Sequence, residues 1–305
     1  MLMAAALKPN TQRTYSSAQT RFINFCSKYN LVVMPVTEDT LLLYIAFLFD
    51  EGLKGSSIRV YISAVRSLHI YSGFVYPSDM FRVRLALRGA VCQSLPPVRK
   101  FPITFSVLSQ MLKFVSGRFD AKLLTAVMTL AFFGCMRASE FCVLDGVPFD
   151  CNSHLCLRDV ILDDNKKVLT VFLSKSKTNT TNSGVKIFIG CSKHSVCAYC
   201  SMKSYLASRT GPVDQKSPLF VNFAGDVLKK KYFVSATRLV LSMAGCDPSK
   251  YSGHSFRAGA ATTAGDRNFE EYELKLLGRW ASSAYNIYLR NPHIMTTYAS
   301  RLANP

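Results

Sequence analysis

Acidic side chains are in short supply: 19 Asp and Glu face 37 Lys and Arg, a formal net charge of +18 over 305 residues. That imbalance points to a polyanionic partner, DNA or RNA before an acidic membrane surface, because the basic residues are spread over both halves of the chain. No cluster of Asp and Glu has the make-up of a two-metal nuclease site. Long hydrophobic runs are also missing. The longest unbroken apolar stretch, 41–49, has nine residues, against the ~20 needed to cross a bilayer. Met1 to Leu7 are apolar but too few, and without the basic opening, for a secretory leader. Tryptophan occurs once and histidine five times, so one histidine by itself carries little weight.

What is plentiful is apolar: 49% of the residues, ample for folded cores. A chain of this length suggests two domains. Ten cysteines raise the question of disulfides, but a chain this long and hydrophobic needs no staples. Cys26, Cys92, Cys135 and Cys142 fall in helical apolar patterns and read as free buried thiols, in a reducing compartment.

The fold class read from the pattern is mainly α. We expect a helical N-terminal domain over 1–95, a linker over 96–102, and a second, α+β domain over 103–305 with a small antiparallel sheet. Helices are expected at 11–29, 38–50, about 58–72 with Ser57 as N-cap, and 78–90. Arg59, Arg66, Arg82, Arg84 and Arg88 would give this bundle a basic rim facing phosphates. Three prolines in 94–102 break regular structure and stiffen the link. The second domain opens with a helix capped near Thr104 and continues with a long apolar helix over 121–134. Strands follow at 155–162, 168–173 and 185–189, and helices at 198–208, 224–244, 256–265, 272–277 and 283–290.

Three residue groups carry chemistry. Arg137 ends the long apolar helix, where a charge is costly unless paired; it either bonds Glu140 or enters a cleft past Gly134. His254 and Arg257, three apart, share one helical face and can converge on one phosphate. Trp280 precedes a short helix bearing both Tyr285 and Tyr288, and Tyr298 lies beyond. An unactivated phosphodiester yields without a metal only to fixed cations, a nucleophile and a proton donor for the leaving oxygen, and arginine is the best clamp.

Together these motifs resemble the tyrosine recombinases, or phage integrases, over about residues 10–300. Gly134-Cys-Met-Arg137-Ala-Ser-Glu140 matches the first arginine motif with one extra residue after the glycine. His254-Ser-Phe-Arg257 matches its His-x-x-Arg. Gly278-Arg-Trp280 and Tyr288-Leu-Arg290 match the last two motifs, with eight residues from Trp280 to Tyr288 where many members have nine. The wording is most similar to recombinases of eukaryotic mobile elements, the DIRS-like and Crypton-like groups.

The resemblance implies an N-terminal core-binding domain and a C-terminal catalytic domain. It implies that Arg137, Arg257 and Trp280 hold the scissile phosphate, with Glu140 supporting the arginine and histidine. His254 would assist proton transfer, Lys177 (with Lys175 as rival) would protonate the leaving oxygen, and Tyr288 would be the nucleophile. It further implies double-stranded DNA as partner, a homo-tetramer on paired sites, a nuclear location, no small-molecule substrate and no cofactor or metal. A type IB topoisomerase-like activity and a non-cutting DNA-binding protein stay open beside recombination. Separately, Cys191, His194, Cys197 and Cys200 place four soft ligands in ten residues that could hold zinc, though strong zinc sites usually set their ligand pairs farther apart, and Cys151, His154 and Cys156 offer further partners; buried thiols beside an exposed histidine are the plainer reading.

Overall fold

The computed structural model describes residues 7, 9–76, 80–96, 98–115, 120–174, 184–280 and 282–288, with the backbone alone described at Pro9, Asn10 and Tyr288. The chain divides into two compact units, Met1–Val98 and Arg99–Pro305.

Among the described residues the first unit has α1 (Pro9–Lys28), α2 (Glu38–Asp50), α3 (Gly55–Tyr71) and α4 (Phe81–Gln93). Thr37 caps α2, its hydroxyl accepting from Thr40 N at 3.2 Å, the arrangement expected of an N-cap threonine. The core is aromatic at its centre, with Phe22 and Phe25 each packing about 5.0 Å from Tyr44. One start differs from expectation. Helix α3 begins at Gly55, two residues before Ser57, because the cap comes from another helix's end: Gly55 N donates to Ser94 Oγ at 2.8 Å. A Cβ at Gly55 would lie 2.5 Å from Val91 N, so only glycine lets α3 and α4 approach this closely. Arg59, Arg66, Arg84 and Arg88 are exposed. Arg82 is exposed as well and lies 2.9 Å from Asp39.

The second unit contains α5 (Phe105–Lys113), α6 (Ala121–Phe133), the single turn α7 (Ala138–Phe141), a sheet β1 (Val160–Asp163), β2 (Val168–Leu173) and β3 (Val185–Gly190), then α8 (Ala198–Ser208), α9 (Lys230–Met243), α10 (Ser255–Asp266) and α11 (Glu271–Gly278). Short 3-10 turns occupy Leu157–Asp159, Pro248–Lys250 and Ser283–Tyr288. The sheet is antiparallel in the order β1-β2-β3, with Leu169 facing Ile189 and Val171 facing Ile187. Period-2 alternation buries Leu169, Val171 and Leu173 on one face. The first strand is shorter than its apolar run, since Asp159 turns its carboxylate back onto Cys156 N at 2.8 Å and winds 157–159 into a 3-10 turn. Helix α9 is shorter than expected for a similar reason: Asn222 and Asp226 close a turn around Gly225, and Val221 bridges Val227.

Helix α6 is apolar all round and sits in the core, with nine buried residues from Leu123 to Phe132. Among the described residues no helix is long and apolar enough to cross a membrane. All ten cysteines are free, and Cys26, Cys135 and Cys142 are buried as expected, whereas Cys92 is exposed.

Helix α10 is built from small residues for close approach. The segment before α5 runs against it, with Ile103 N donating to Ser255 O at 2.9 Å, and a Cβ at Gly259 would collide with the Ile103 carbonyl. Gly259→Ala is therefore expected to destabilise the chain by about 3 kcal/mol, because backbone cannot yield as a side chain can. Gly89, in mid-α4, has open space where its Cβ would go, so Gly89→Ala is expected to stabilise by roughly 0.5–1 kcal/mol. Urea unfolding of the two variants should move in opposite directions.

Candidate active site

Two helix ends bring the arginines together. Helix α6 terminates in a Schellman turn: Met136 N reaches back to Ala131 O at 2.9 Å and Cys135 N to Phe132 O at 3.0 Å, with Cys135 left-handed at φ 45°. Helix α11 ends the same way, Trp280 N bonding Lys275 O at 3.0 Å and Arg279 N bonding Leu276 O at 3.2 Å, with Arg279 left-handed at φ 56°. Glycine is the usual occupant of that position. A cysteine and an arginine there hold the backbone in a costly conformation, by roughly 1 kcal/mol or more each, and both turns face the same cluster.

Arg257, 2% exposed, rises from the first turn of α10. Its Nη1 donates to Cys135 O at 2.6 Å, and its Nη2 donates to Gly278 O. The two helix-end carbonyls thus fix the guanidinium plane, cations being favoured at helix C-termini. The Trp280 ring covers it, with its centroid 4.6 Å from Cζ, a cation–π contact. Gly278 permits this, since a Cβ there would strike the Trp280 ring. Burial, then the neighbouring Arg137 and Arg279 charges, hold the Arg257 pKa below its ordinary value, yet arginine stays charged. Burial also pushes the Cys135 thiol up to about 11, so it stays protonated and inert at neutral pH.

Glu140 is the anion of the cluster. It lies on α7, three residues after Arg137, and its side chain is 4% exposed. Oε1 accepts from Arg137 Nη1 at 2.8 Å; Oε2 accepts from Arg137 N at 2.9 Å and from Arg279 Nη2 at 3.0 Å. Arg279 also donates from Nη1 to Gly134 O at 2.8 Å. Arg137 therefore bonds Glu140, the first of its two readings, and its side chain keeps 13% exposure beside Arg279 at 12%. Three guanidinium charges against one carboxylate leave a surplus of two positive charges in a small, nearly dry volume.

Of the residues singled out from sequence, Arg137, Glu140, Arg257 and Trp280 come together here. His254 lies one turn before Arg257, exposed at the N-cap of α10. Lys177 and Lys175 lie outside the described residues, in the connection between β2 and β3. Tyr288 is the last residue of the 3-10 turn after Trp280, with its side chain outside the described atoms. Tyr285 is 5% exposed and packs with Ala264 and Leu274, its ring 6.0 Å from that of Trp280. Burial, then a hydrogen bond to Glu271, raises its pKa.

Arg279 was missed by sequence reasoning, although it reaches the shared carboxylate while Trp280 stacks behind it. The available signal was spacing: Arg279, not Trp280, stands nine residues before Tyr288.

No protein-family model matches the chain. In sequence it is similar to the Integrase/recombinase xerD homolog of Selenomonas ruminantium, 23% identical over 275 residues, covering 86% of this chain and 75% of that protein. In structure it is similar to the Tn1549 transposon integrase bound to transposon right end DNA, at a TM-score of 0.68 and 14% identity, covering 98% of this chain and 94% of that one. It also resembles the XerH site-specific recombinase in a post-cleavage complex with its difH substrate, at 0.66 and 16%, covering 95% and 78%. A lambda integrase dimer on a core site gives 0.61 and 16%, covering 94% and 90%.

The structural likenesses establish the fold, a mostly helical chain with the small antiparallel sheet of the tyrosine recombinases. The sequence relative and these solved structures are recombinases and integrases, similar to this chain at 14–23% identity.

Proposed function

We propose that this chain is a site-specific DNA recombinase that cuts and rejoins double-stranded DNA through a covalent 3′-phosphotyrosyl intermediate. The observation that carries it is the single buried carboxylate of Glu140 holding Arg137 and Arg279 beside the carbonyl-fixed guanidinium of Arg257. Attack on a phosphodiester raises the charge on phosphorus-bound oxygens from one toward two negative charges. A preorganised surplus of two positive charges stabilises that change without rearranging.

The Tyr288 hydroxyl passes its proton to the His254 imidazole as its oxygen bonds to phosphorus, while the bond from phosphorus to the 5′ oxygen breaks. Lys177 supplies the proton to that oxygen, and His254, at the open edge of α10, assists proton transfer. Arg137, Arg257 and Arg279 hold the nonbridging oxygens, with Trp280 keeping Arg257 in plane. The phosphodiester energy is kept in the tyrosyl bond, so a 5′-hydroxyl from another strand reverses the attack.

Four copies on paired DNA sites would exchange strands in integration or excision of a mobile element. The Gly253-His-Ser-Phe-Arg-Ala-Gly259 and Gly278-Arg-Trp280 wording favours a eukaryotic element and a nuclear site of action. The first unit, 1–95 in the sequence reading with 96–102 as linker, would serve as the core DNA-binding domain and 103–305 as the catalytic one.

A nicked suicide substrate carrying the element's terminal sequence tests the chemistry. A denaturation-resistant adduct with the DNA-linked peptide containing Tyr288 is the expected result; tight binding without an adduct on a verified substrate would leave a non-cutting DNA-binding protein. Relaxation of supercoiled DNA without a partner site would favour the topoisomerase reading. Binding itself should be salt-sensitive through the first unit's exposed arginines. Replacing Arg59 and Arg88 together by alanine is expected to flatten the slope of log K against log salt by about two units, read by fluorescence anisotropy on labelled duplex.

A further inference from the structure

We propose that Cys191, Cys197 and Cys200 form a zinc site that ties the end of β3 to the start of α8. It is remote in function from the arginine cluster and stands whether or not the recombinase reading holds. The three Sγ atoms all lie within 4.8 Å of one another. Cys191 and Cys197 Sγ are 3.6 Å apart, and Cys191 and Cys200 Sγ 3.9 Å apart. For zinc–sulfur bonds of about 2.3 Å, the edge of a tetrahedron is ~3.8 Å. Two edges of the cluster therefore already match a zinc tetrahedron and the third lies within 4.8 Å, without a disulfide between the thiols.

The surroundings favour thiolates. Cys197 is the N-cap of α8, an eleven-residue helix, and Cys200 lies in its first turn. The exposed amides and dipole of a helix N-terminus stabilise sulfur anions. Ser192 N also donates to Cys197 Sγ at 3.4 Å, a bond that fits a metal-bound thiolate. The loop is pinned on its other side by Cys191 N bonding Lys167 O at 2.8 Å. His194, the fourth soft side chain of the motif, is engaged elsewhere: its Nδ1 accepts from Val196 N at 3.1 Å and its ring packs 5.3 Å from that of Phe105. Because Cys200 is exposed and Cys191 half-buried, the fourth position faces solvent and takes water. Three thiolates are soft donors, which selects zinc over magnesium or calcium.

The test uses the full chain, stripped with chelator and kept reduced, and titrated with cobalt(II) as a spectroscopic probe. One equivalent is expected to produce sulfur-to-cobalt charge transfer with tetrahedral visible bands, both erased by adding zinc. Cys200→Ser alters an exposed side chain and should leave the fold intact, yet weaken cobalt binding at least tenfold. Cys191→Ser should do the same, while Cys92→Ser, outside the cluster, should change nothing. Absence of the charge-transfer band in folded protein with ten titratable thiols would overturn the site. So would cobalt binding that Cys200→Ser leaves untouched, or a fall of two thiols on mild oxidation that zinc fails to prevent.

Discussion

Tyr288→Phe is expected to lower covalent attachment to DNA by roughly 10⁴-fold or more, with duplex affinity unchanged, while Tyr285→Phe keeps the adduct. In the proposed reaction the Tyr288 hydroxyl is the atom that bonds phosphorus, whereas phosphate binding is assigned to the arginines. Tyr285 plays a structural part. Buried against Ala264 and Leu274 and near Trp280, it secures the turn that carries Tyr288. Its hydroxyl is engaged with Glu271, so Tyr285→Phe gives up one hydrogen bond and little chemistry. The comparison is read by denaturing gel on a nicked substrate, with anisotropy for binding. An adduct surviving in Tyr288→Phe and lost in Tyr285→Phe would exchange their roles.

Glu140→Ala is the second large effect. The substitution leaves the Arg137, Arg257 and Arg279 charges with no anion among them and strips three N–H donors of their acceptor. Breaking a buried ion pair from one side costs about 3–5 kcal/mol, so a large fall in melting temperature is expected, together with loss of cleavage. Glu140→Gln keeps the shape and one acceptor oxygen, and should retain more stability than activity. If the cause is uncompensated positive charge, added phosphate or duplex DNA will raise the melting temperature of Glu140→Ala more than that of the unsubstituted chain. Equal shifts in both would show that Glu140 acts through packing alone.

Much of this protein is fixed locally and was therefore legible in the sequence. Helix α2 follows from an apolar run with a threonine cap, the strands β2 and β3 from alternation, and the buried α6 from a run too short for a bilayer. The pairing of Arg137 with Glu140 is a three-residue contact, visible in the motif. The features that escaped depend on partners distant along the chain. The start of α3 is set by Ser94, 39 residues on. Arg279 draws its meaning from Glu140, 139 residues earlier, and no local rule places an arginine in a left-handed helix end that glycine usually fills. The division of labour between Arg279 and Trp280 likewise arises in the folded chain, because a one-residue difference in the turn sends one side chain to the carboxylate and the other onto Arg257. Periodicity and caps act within a few residues, so they suffice for the elements and for the residue types of the chemistry. Where two helix ends meet is a matter of long-range packing, and that packing sets which charges share one acid.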